Sequence, residues 1–305
     1  MSQAETTIHS RNAGGATIAT SELSQSALSR GREAKPRKQR SRIKESILIL
    51  VALLYAGGLL IAPLIAIVWG SLAEGAGAFA REITSTDAVS SFKLTLIMAA
   101  TATVINTVFG LCIAWALVRD DFWGRRIING LVDMPFAVSP VIAGFMLILL
   151  FGRGGWLTHL TEGIGLKVVF ALPGILLATV FISLPFVIRE VAPVLSQVSA
   201  DQESAAHTMG ASGWQTFWHV TLPAIRWGLL YGVSLTFARA VGEIGAVLVV
   251  SGGVSGLTET STLFIYRSLD DRNYVGANAM SVVLAGVSFL ILIVIEFFKK
   301  RAEDH

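Results

Sequence analysis

Two charged residues lie four positions apart in an apolar part of the sequence. Arg239 and Glu243 belong to the segment 237–247, whose other residues are apolar or small. Residues four apart share a face of a helix, so these side chains can pair. A charge in hydrocarbon is costly and therefore points into a helix bundle or a water-filled cavity. The pair either lines or gates a solute path or locks helices together, and the sequence leaves both interpretations open.

A second candidate is the segment Asp133–Val141, which enters another apolar stretch. Pro135, Ser139 and Pro140 are expected to interrupt the main-chain hydrogen bonds of a helix there. Freed backbone groups at membrane depth need a lined cavity or close helix neighbours. Ser139 is therefore the third candidate, after Arg239 and Glu243, for a residue that lines a solute path.

The segment 199–223 is too polar to cross a bilayer, although it lies between two long apolar stretches. Ser199 with Gln202, and Ser212 with Gln215, have the spacing of capping boxes, and each predicts the start of a short helix. Between them, residues 210–213 (Gly-Ala-Ser-Gly) predict a tight turn. We therefore expect two short helices joined by a turn.

The small residues of this segment suggest a contact surface. Ala206 and Gly210 are four apart, so we expect them to share a helix face that another surface can approach closely. Pro223 is expected in the first turn of the following helix, where proline is favoured. An ordinary amphipathic loop at the membrane surface is the alternative interpretation.

Composition places the chain among membrane proteins. It is 53% apolar and 15% charged, with a mean hydropathy of +0.65. Six apolar stretches are long enough to be spans, since about 20 residues cross the hydrocarbon core. They cover residues 47–69, 94–118, 134–151, 168–188, 224–250 and 275–298. The predicted fold is therefore an all-α integral membrane protein with six transmembrane helices.

Basic residues set the predicted orientation. When both termini are placed in the cytosol, the segments that face the cytosol hold more Lys and Arg than the segments that face outside. This holds even when the tail at residues 30–44 is left out. The polar segment 199–223 then also faces the cytosol. The basic tail is expected to be solvated and to contact anionic lipid headgroups. A nucleic-acid-binding arm is disfavoured because no folded basic module accompanies the tail.

At residues 203–223 the sequence resembles the EAA loop of ATP-binding-cassette (ABC) importer permeases. The family pattern is Glu-Ala-Ala, a later Gly, and a terminal Leu-Pro, which here correspond to Ser204-Ala205-Ala206, Gly210 and Leu222-Pro223. Ser204 occupies the family's Glu position, and Glu203 lies one residue early, about 100° around a helix. The resemblance implies the type I importer fold and an ATPase-docking surface formed by Glu203, Ser204, Ala205, Ala206, Gly210, Leu222 and Pro223.

Residues 133–141, 184–190 and 237–247 further resemble the sulfate/thiosulfate and molybdate permeases of this family. This resemblance implies an oxyanion importer of the bacterial inner membrane, with sulfate or thiosulfate as the first expectation and molybdate as the alternative. Its implied partners are an ABC ATPase, a second homologous or identical permease and an external solute-binding protein.

Motif content agrees with a transport subunit rather than an enzyme. The sequence lacks a Gly-x4-Gly-Lys-Ser/Thr phosphate loop, so ATP hydrolysis is expected on a separate chain. Its five histidines are scattered, and we predict no catalytic residue, metal or cofactor. A secondary transporter or channel, and a scaffold without transport, are the other classes considered.

These interpretations divide the chain into three parts. Residues 1–45 form a disordered basic cytoplasmic tail, and residues 46–91 hold the first transmembrane helix and an outer loop. Residues 92–298 form the permease core, with its cytoplasmic coupling loop at 199–223.

Overall fold

The computed structural model describes residues 42–303, and this part of the chain is helical without strands. It divides into two compact units, one up to Ala62 and the other from Pro63 onwards. Most of the predicted basic tail lies outside the described residues. Its last residues, 42–45, are not a tail but the first turn of helix α1 (Arg42–Ser71), which contains Pro63.

The helices after α1 vary greatly in length. They are α2 (Ala76–Thr84), α3 (Thr86–Arg119), α4 (Arg125–Ala137), α5 (Pro140–Phe151), α6 (Thr158–Gly163), α7 (Leu172–Gln197), α8 (Ala200–Thr208), α9 (Gly213–Thr216), a π-helical segment (Phe217–Thr221), α10 (Leu222–Val241), α11 (Gly245–Val250), α12 (Ser261–Asp270) and α13 (Tyr274–Glu303). The longest, α3, begins where the Ser85 hydroxyl accepts a hydrogen bond from Ala88 N at 3.2 Å.

Four described helices are long and apolar enough to cross a membrane: Ser46–Ser71, Thr86–Arg119, Leu172–Gln197 and Tyr274–Ile293. A fifth crossing results if α4 and α5, which are bent by 113° relative to each other, count as one broken span. The all-α membrane fold is thus confirmed, whereas the count of six spans is not reached by these criteria.

Two predicted spans are not continuous helices. The span at 134–151 bends between α4 and α5, next to the predicted break at Ser139 and Pro140. The span at 224–250 ends as α10 at Val241 and resumes as α11 at Gly245. The break between α4 and α5 agrees with the predicted interruption. The uninterrupted helix expected at 224–250 was wrong, because average hydropathy does not reveal the three-residue break at 242–244.

The centre of the second unit is formed by α3, α7 and α10. Fully buried side chains from all three pack together, including Ala114, Val187, Ile188, Val191 and Ile225. Gly232 of α10 lies so close to α7 that an added Cβ would be 3.2 Å from the Val187 Cα. Small residues permit such close helix contacts inside a membrane. This packed centre holds the ends of α3, α7 and α10 next to the polar segment 199–223.

Candidate functional site

The two helix interruptions lie side by side. A Cβ added at Gly245 would be 2.8 Å from the Pro140 Cβ, and one added at Gly144 would be 2.7 Å from the Ala246 carbonyl oxygen. Ser139 is the exposed residue that precedes α5, and its side chain makes no capping hydrogen bond. The start of α5 and the start of α11 are thus brought together by glycines, which allow the two backbones to touch.

Arg239 and Glu243 form the expected ion pair at the second interruption. Arg239 Nη1 lies 2.6 Å from Glu243 Oε2, and the Arg239 side chain is 32% exposed whereas that of Glu243 is 2% exposed. Arg239 belongs to the last turn of α10, but Glu243 lies in the break and not on the same helix. The pair therefore spans the end of α10, which corrects the expectation of one continuous helical face.

Glu243 is also held by its own neighbourhood. Its Oε1 accepts a hydrogen bond from Ala246 N at 2.9 Å, and its carbonyl oxygen accepts one from Thr262 Oγ1 at 2.8 Å. The buried carboxylate thereby satisfies a free amide at the start of α11. Among the described residues, Glu243 is the one polar partner of the Arg239 guanidinium. The remaining guanidinium donors stay available on the partly exposed side of Arg239.

The polar segment folds as two short helices and a turn, as predicted. The Ser212–Gln215 capping box is present: Gln215 Oε1 accepts from Ser212 N at 2.8 Å, and Ser212 Oγ accepts from Gln215 N at 3.3 Å. The predicted box at Ser199 is not formed, because Ser199 Oγ accepts from Asp201 N at 3.1 Å instead.

Gly210 lies in the predicted turn, but it does not share the predicted helix face with Ala206. Helix α8 ends at Thr208, and Gly210 follows with a φ of 90°, a left-handed conformation that strongly favours glycine. Gly210 therefore forms the turn after α8 and shares no helix face with Ala206, which is itself buried. The small-residue face expected from Ala206 and Gly210 is therefore not formed, whereas the turn is.

The predicted docking residues differ in accessibility. Ser204, Ala205, Gly210 and Pro223 are exposed, while Glu203 and Leu222 are half-buried. Around the turn, Met209, Trp214 and Trp218 expose large apolar surfaces. A concave pocket of about 460 Å³ opens here, lined in part by Met209, Gly210 and His219. The exposed turn and its pocket therefore form an open surface that a protruding part of another protein can contact.

Glu203 points into the chain rather than out of it. Its Oε1 lies 2.9 Å from Arg119 Nη2 at the end of α3 and accepts a second hydrogen bond, also 2.9 Å, from Thr221 Oγ1. Sequence reasoning noted the one-residue displacement of Glu203 but did not identify these partners. They lie far apart in the sequence, so no local pattern connects them.

The sequence patterns also did not single out a buried carboxylate, that of Glu259. Glu259, in the connection between α11 and α12, contacts Arg267 through Nε–Oε1 at 2.7 Å and Nη2–Oε2 at 3.1 Å. Arg267 Nη2 lies 3.2 Å from Asp87 Oδ2 at the start of α3, and Ser91 Oγ donates to Glu259 Oε2 at 3.4 Å. Burial raises the pKa of the Glu259 carboxyl, and the charge of Arg267 opposes that rise. Asp87, Ser91, Glu259 and Arg267 lie at the opposite end of α3 from Arg119, and for that position alone we call them the outer cluster.

Comparison with known proteins identifies the family. Residues 106–304 match the family described as "Binding-protein-dependent transport system inner membrane component". The chain belongs to this family. It is accordingly a multi-pass transport subunit of the inner membrane and not an enzyme.

Curated relatives extend this result over nearly the whole chain. The "Sulfate transport system permease protein CysW" of Synechococcus elongatus is 42% identical over 88% of this chain and 96% of that protein. The CysW protein of Escherichia coli is 38% identical over 84% of this chain and 88% of that protein. "Sulfate permease 2, chloroplastic" of Chlamydomonas reinhardtii is 43% identical over 80% of this chain and 66% of that protein.

Solved structures confirm the fold of this inner membrane component. A chain of a bacterial alginate ABC transporter matches with a TM-score of 0.70 at 19% identity, covering 86% of this chain and 96% of that chain. A chain of the MetNI methionine ABC transporter matches with a TM-score of 0.54 at 19% identity, covering 70% and 94%. The fold is therefore that of an ABC importer permease.

Proposed function

We propose that this chain is the membrane-spanning subunit of an ATP-driven sulfate importer. The observation that carries the proposal is its identity of 38–43% to proteins named for sulfate transport, extending over most of the chain. Thiosulfate shares the tetrahedral shape and double negative charge of sulfate, so we propose that it is carried as well. Molybdate is the competing solute, and its uptake is to be measured alongside that of sulfate.

The solute path runs past Arg239, Glu243 and Ser139. Discontinuous helices commonly mark the substrate site of a transporter, because unwound backbone is tolerated where it lines a cavity. Here two interruptions touch, and Arg239 combines partial exposure with donors that Glu243 leaves free. Those donors can offset the desolvation of a doubly negative solute. The contact must stay weak, because a deep binding well would stop release.

The energy comes from a separate ABC ATPase that docks on the exposed turn at Gly210. Ser204, Ala205, Gly210 and Pro223 are exposed residues of the polar segment, and Met209, Trp214 and Trp218 supply apolar surface. ATP-driven closure of two such ATPases moves the turn and tilts the attached helices, which switches access to the path. A second permease subunit completes the path, and an external binding protein delivers the solute.

Reconstitution of the complete transporter in vesicles tests the function. Radiolabelled sulfate, thiosulfate and molybdate are offered with the binding protein outside and ATP inside. Concentrative sulfate uptake that requires this chain is the expected result. Uptake of molybdate without sulfate contradicts the proposed solute, and concentrative uptake without the ATPase contradicts the proposed class.

A matched pair of glycines tests the docking surface. Gly210 (φ 90°) and Gly253 (φ 62°) are both exposed, with open space where a side chain would project. Gly210→Trp is expected to block ATPase docking and abolish uptake, whereas Gly253→Trp, in the connection between α11 and α12, keeps uptake. Equal co-purification of the ATPase with both variants contradicts the docking site.

Labelling tests the orientation, in which both termini and the turn at Gly210 face the cytosol. In a Cys112→Ser background, Met209→Cys and Trp156→Cys place single thiols at positions that are 83% and 88% exposed. A membrane-impermeant maleimide added outside intact cells is expected to label the second position only. Labelling of the first position from outside contradicts the orientation.

A further inference from the structure

The polar segment is attached to α3 by a charged contact that its docking role does not require. Arg119, the last residue of α3, uses one nitrogen, Nη2, to donate to Glu203 Oε1 at 2.9 Å and to the Val198 carbonyl at 3.1 Å. Val198 precedes α8 and Glu203 lies within it. A single guanidinium thus fixes both the entry to α8 and its middle.

This contact is shielded from water. The side chains of Arg119 and Glu203 are 16% and 14% exposed, and Thr221, which donates to the same Glu203 oxygen, is fully buried. Exposed ion pairs contribute little because solvent screens them and long side chains lose entropy. A mostly buried pair with converging donors is held much more rigidly, and removing one partner leaves a charge without compensation.

A second contact joins the same two parts of the chain. The rings of Trp115 on α3 and Phe217 pack edge to face with centroids 5.8 Å apart. Phe217 begins the π-helical segment and Thr221 ends it. Short π segments often mark functional positions, because their wider turn re-aims side chains. Here the wider turn lies between Phe217, which contacts Trp115 of α3, and Thr221, which donates to Glu203.

We infer that Arg119, Glu203 and Thr221 form a mechanical joint that transmits movement of the docking turn to α3. This inference rests on the proposed ATP-driven transport. It identifies the contact through which movement passes from the polar segment to α3. Glu203 acts as a positioning residue, while its neighbour Ser204 remains exposed for docking. Since α3 has 34 residues, it carries the movement over roughly 50 Å, as far as the outer cluster that contains Asp87.

The test is the ratio of ATP hydrolysed to sulfate transported by the complete reconstituted transporter. Glu203→Gln keeps the size of the side chain, whereas Arg119→Gln shortens it, and each change removes the ion pair. We expect each to raise the ratio at least about fivefold, the lower end of typical coupling effects. The double variant is expected to be no worse than either single variant, because both act through one contact.

Thr221 supplies milder variants that leave both charges in place. Thr221→Ser retains the hydroxyl that donates to Glu203 and is expected to keep the normal ratio. Thr221→Val removes that hydroxyl at nearly constant volume and is expected to raise the ratio. A merely structural role changes the amount of assembled transporter, measured by co-purification of the ATPase, but not the ratio per assembled complex.

Arg189→Gln is the matched control, because it removes another interhelical ion pair. Arg189 Nη2 lies 2.6 Å from Asp133 Oδ1, between α7 and α4 and outside the polar segment. This variant is expected to keep the normal ratio. A normal ratio in Glu203→Gln and Thr221→Val, or additive effects of the Glu203 and Arg119 changes, overturns the joint. Failure of the unmodified transporter to carry sulfate refutes the proposed function instead.

Discussion

Glu243 and Glu259 are both buried glutamates, yet their arginine partners are bound very differently. The two carboxylate side chains are 2% and 1% exposed, and their partners Arg239 and Arg267 are 32% and 38% exposed. Within residues 42–303, Arg239 has one ionic partner, four residues away. Arg267 binds Glu259 through two nitrogens, contacts Asp87 on α3, and lies 5.6 Å from the centre of the Phe264 ring.

From this difference we infer two roles: the outer cluster holds helices together, whereas the Arg239–Glu243 pair lines the solute path. The outer cluster joins α3 to α12 through several converging contacts, so its arginine has little freedom to change partner. The Arg239–Glu243 pair is local, and Glu243 keeps a backbone donor, Ala246 N, even if Arg239 turns away. An arginine with one ionic partner and unused donors suits transient contact with a solute better than an arginine that binds two carboxylates. We therefore expect the two arginines to differ in what their removal damages.

The largest effect on stability is expected for Arg267→Ala. It leaves Glu259 buried without a cation, and breaking a buried pair typically costs about 3–5 kcal/mol, with the partial exposure of Arg267 favouring the lower end. Arg239→Ala is the matched variant. It is expected to cost less stability but to reduce sulfate uptake by about tenfold or more, equivalent to about 1.4 kcal/mol of lost stabilisation.

Thermal unfolding in detergent and uptake per assembled transporter measure the two effects. Equal losses of stability in Arg267→Ala and Arg239→Ala would contradict the proposed difference in role between the two arginines. Normal uptake by Arg239→Ala would exclude Arg239 from the solute path, whatever the stability of that variant.

A smaller effect is expected from Gly144→Ala, which tests the contact between the two interruptions. The new Cβ would be 2.7 Å from the Ala246 carbonyl oxygen, so the backbones must move apart, at a typical cost of about 1–3 kcal/mol. Gly242→Ala is the control, because its Cβ would be 3.8 Å from the nearest atom. Equal unfolding temperatures for the two variants would show that the interruptions do not pack as closely as the structure indicates.

The pH dependence of stability tests the burial of Glu259 in the outer cluster. Burial raises the pKa of Glu259 above its ordinary value of 4.5. The folded protein then retains a proton that the unfolded chain has lost. The stability contribution of Glu259 is therefore fully present below pH 4.5 and is lost as pH rises through the raised pKa. Unfolding temperatures measured across this range should fall less steeply for Glu259→Gln, and parallel curves for the two proteins would contradict the raised pKa.

Sequence patterns predicted the elements whose cause is local. Apolar length placed α1, α3, α7 and α13, because a bilayer requires long apolar helices. The Ser212–Gln215 capping box was also predictable, because its two residues are only three positions apart in the sequence. The Arg239–Glu243 pair also follows from local spacing, even though the helix around it ends earlier than expected.

The remaining features depend on contacts that are distant in sequence. Ser91 and Asp87 lie 168 and 180 residues from their partners Glu259 and Arg267, so no window of sequence contains the outer cluster. The break after α10 is likewise fixed from outside, because Thr262 on α12 donates to the Glu243 carbonyl. Glu203 could be seen to depart from the family pattern, but only the fold shows that it contacts Arg119.

The smallest effect is expected where a polar pair is exposed rather than buried. Ser212→Ala removes the side-chain acceptor for Gln215 N, and loss of such a cap typically costs about 1 kcal/mol. Ser204→Ala is the control, because Ser204 is exposed on α8 and does not cap a helix. Hydrogen exchange should accelerate at residues 212–216 in the first variant only, while the Arg119–Glu203 joint keeps the rest of the segment protected. Acceleration that spreads through α8 would show that the capping box, and not the buried ion pair, holds the segment on α3.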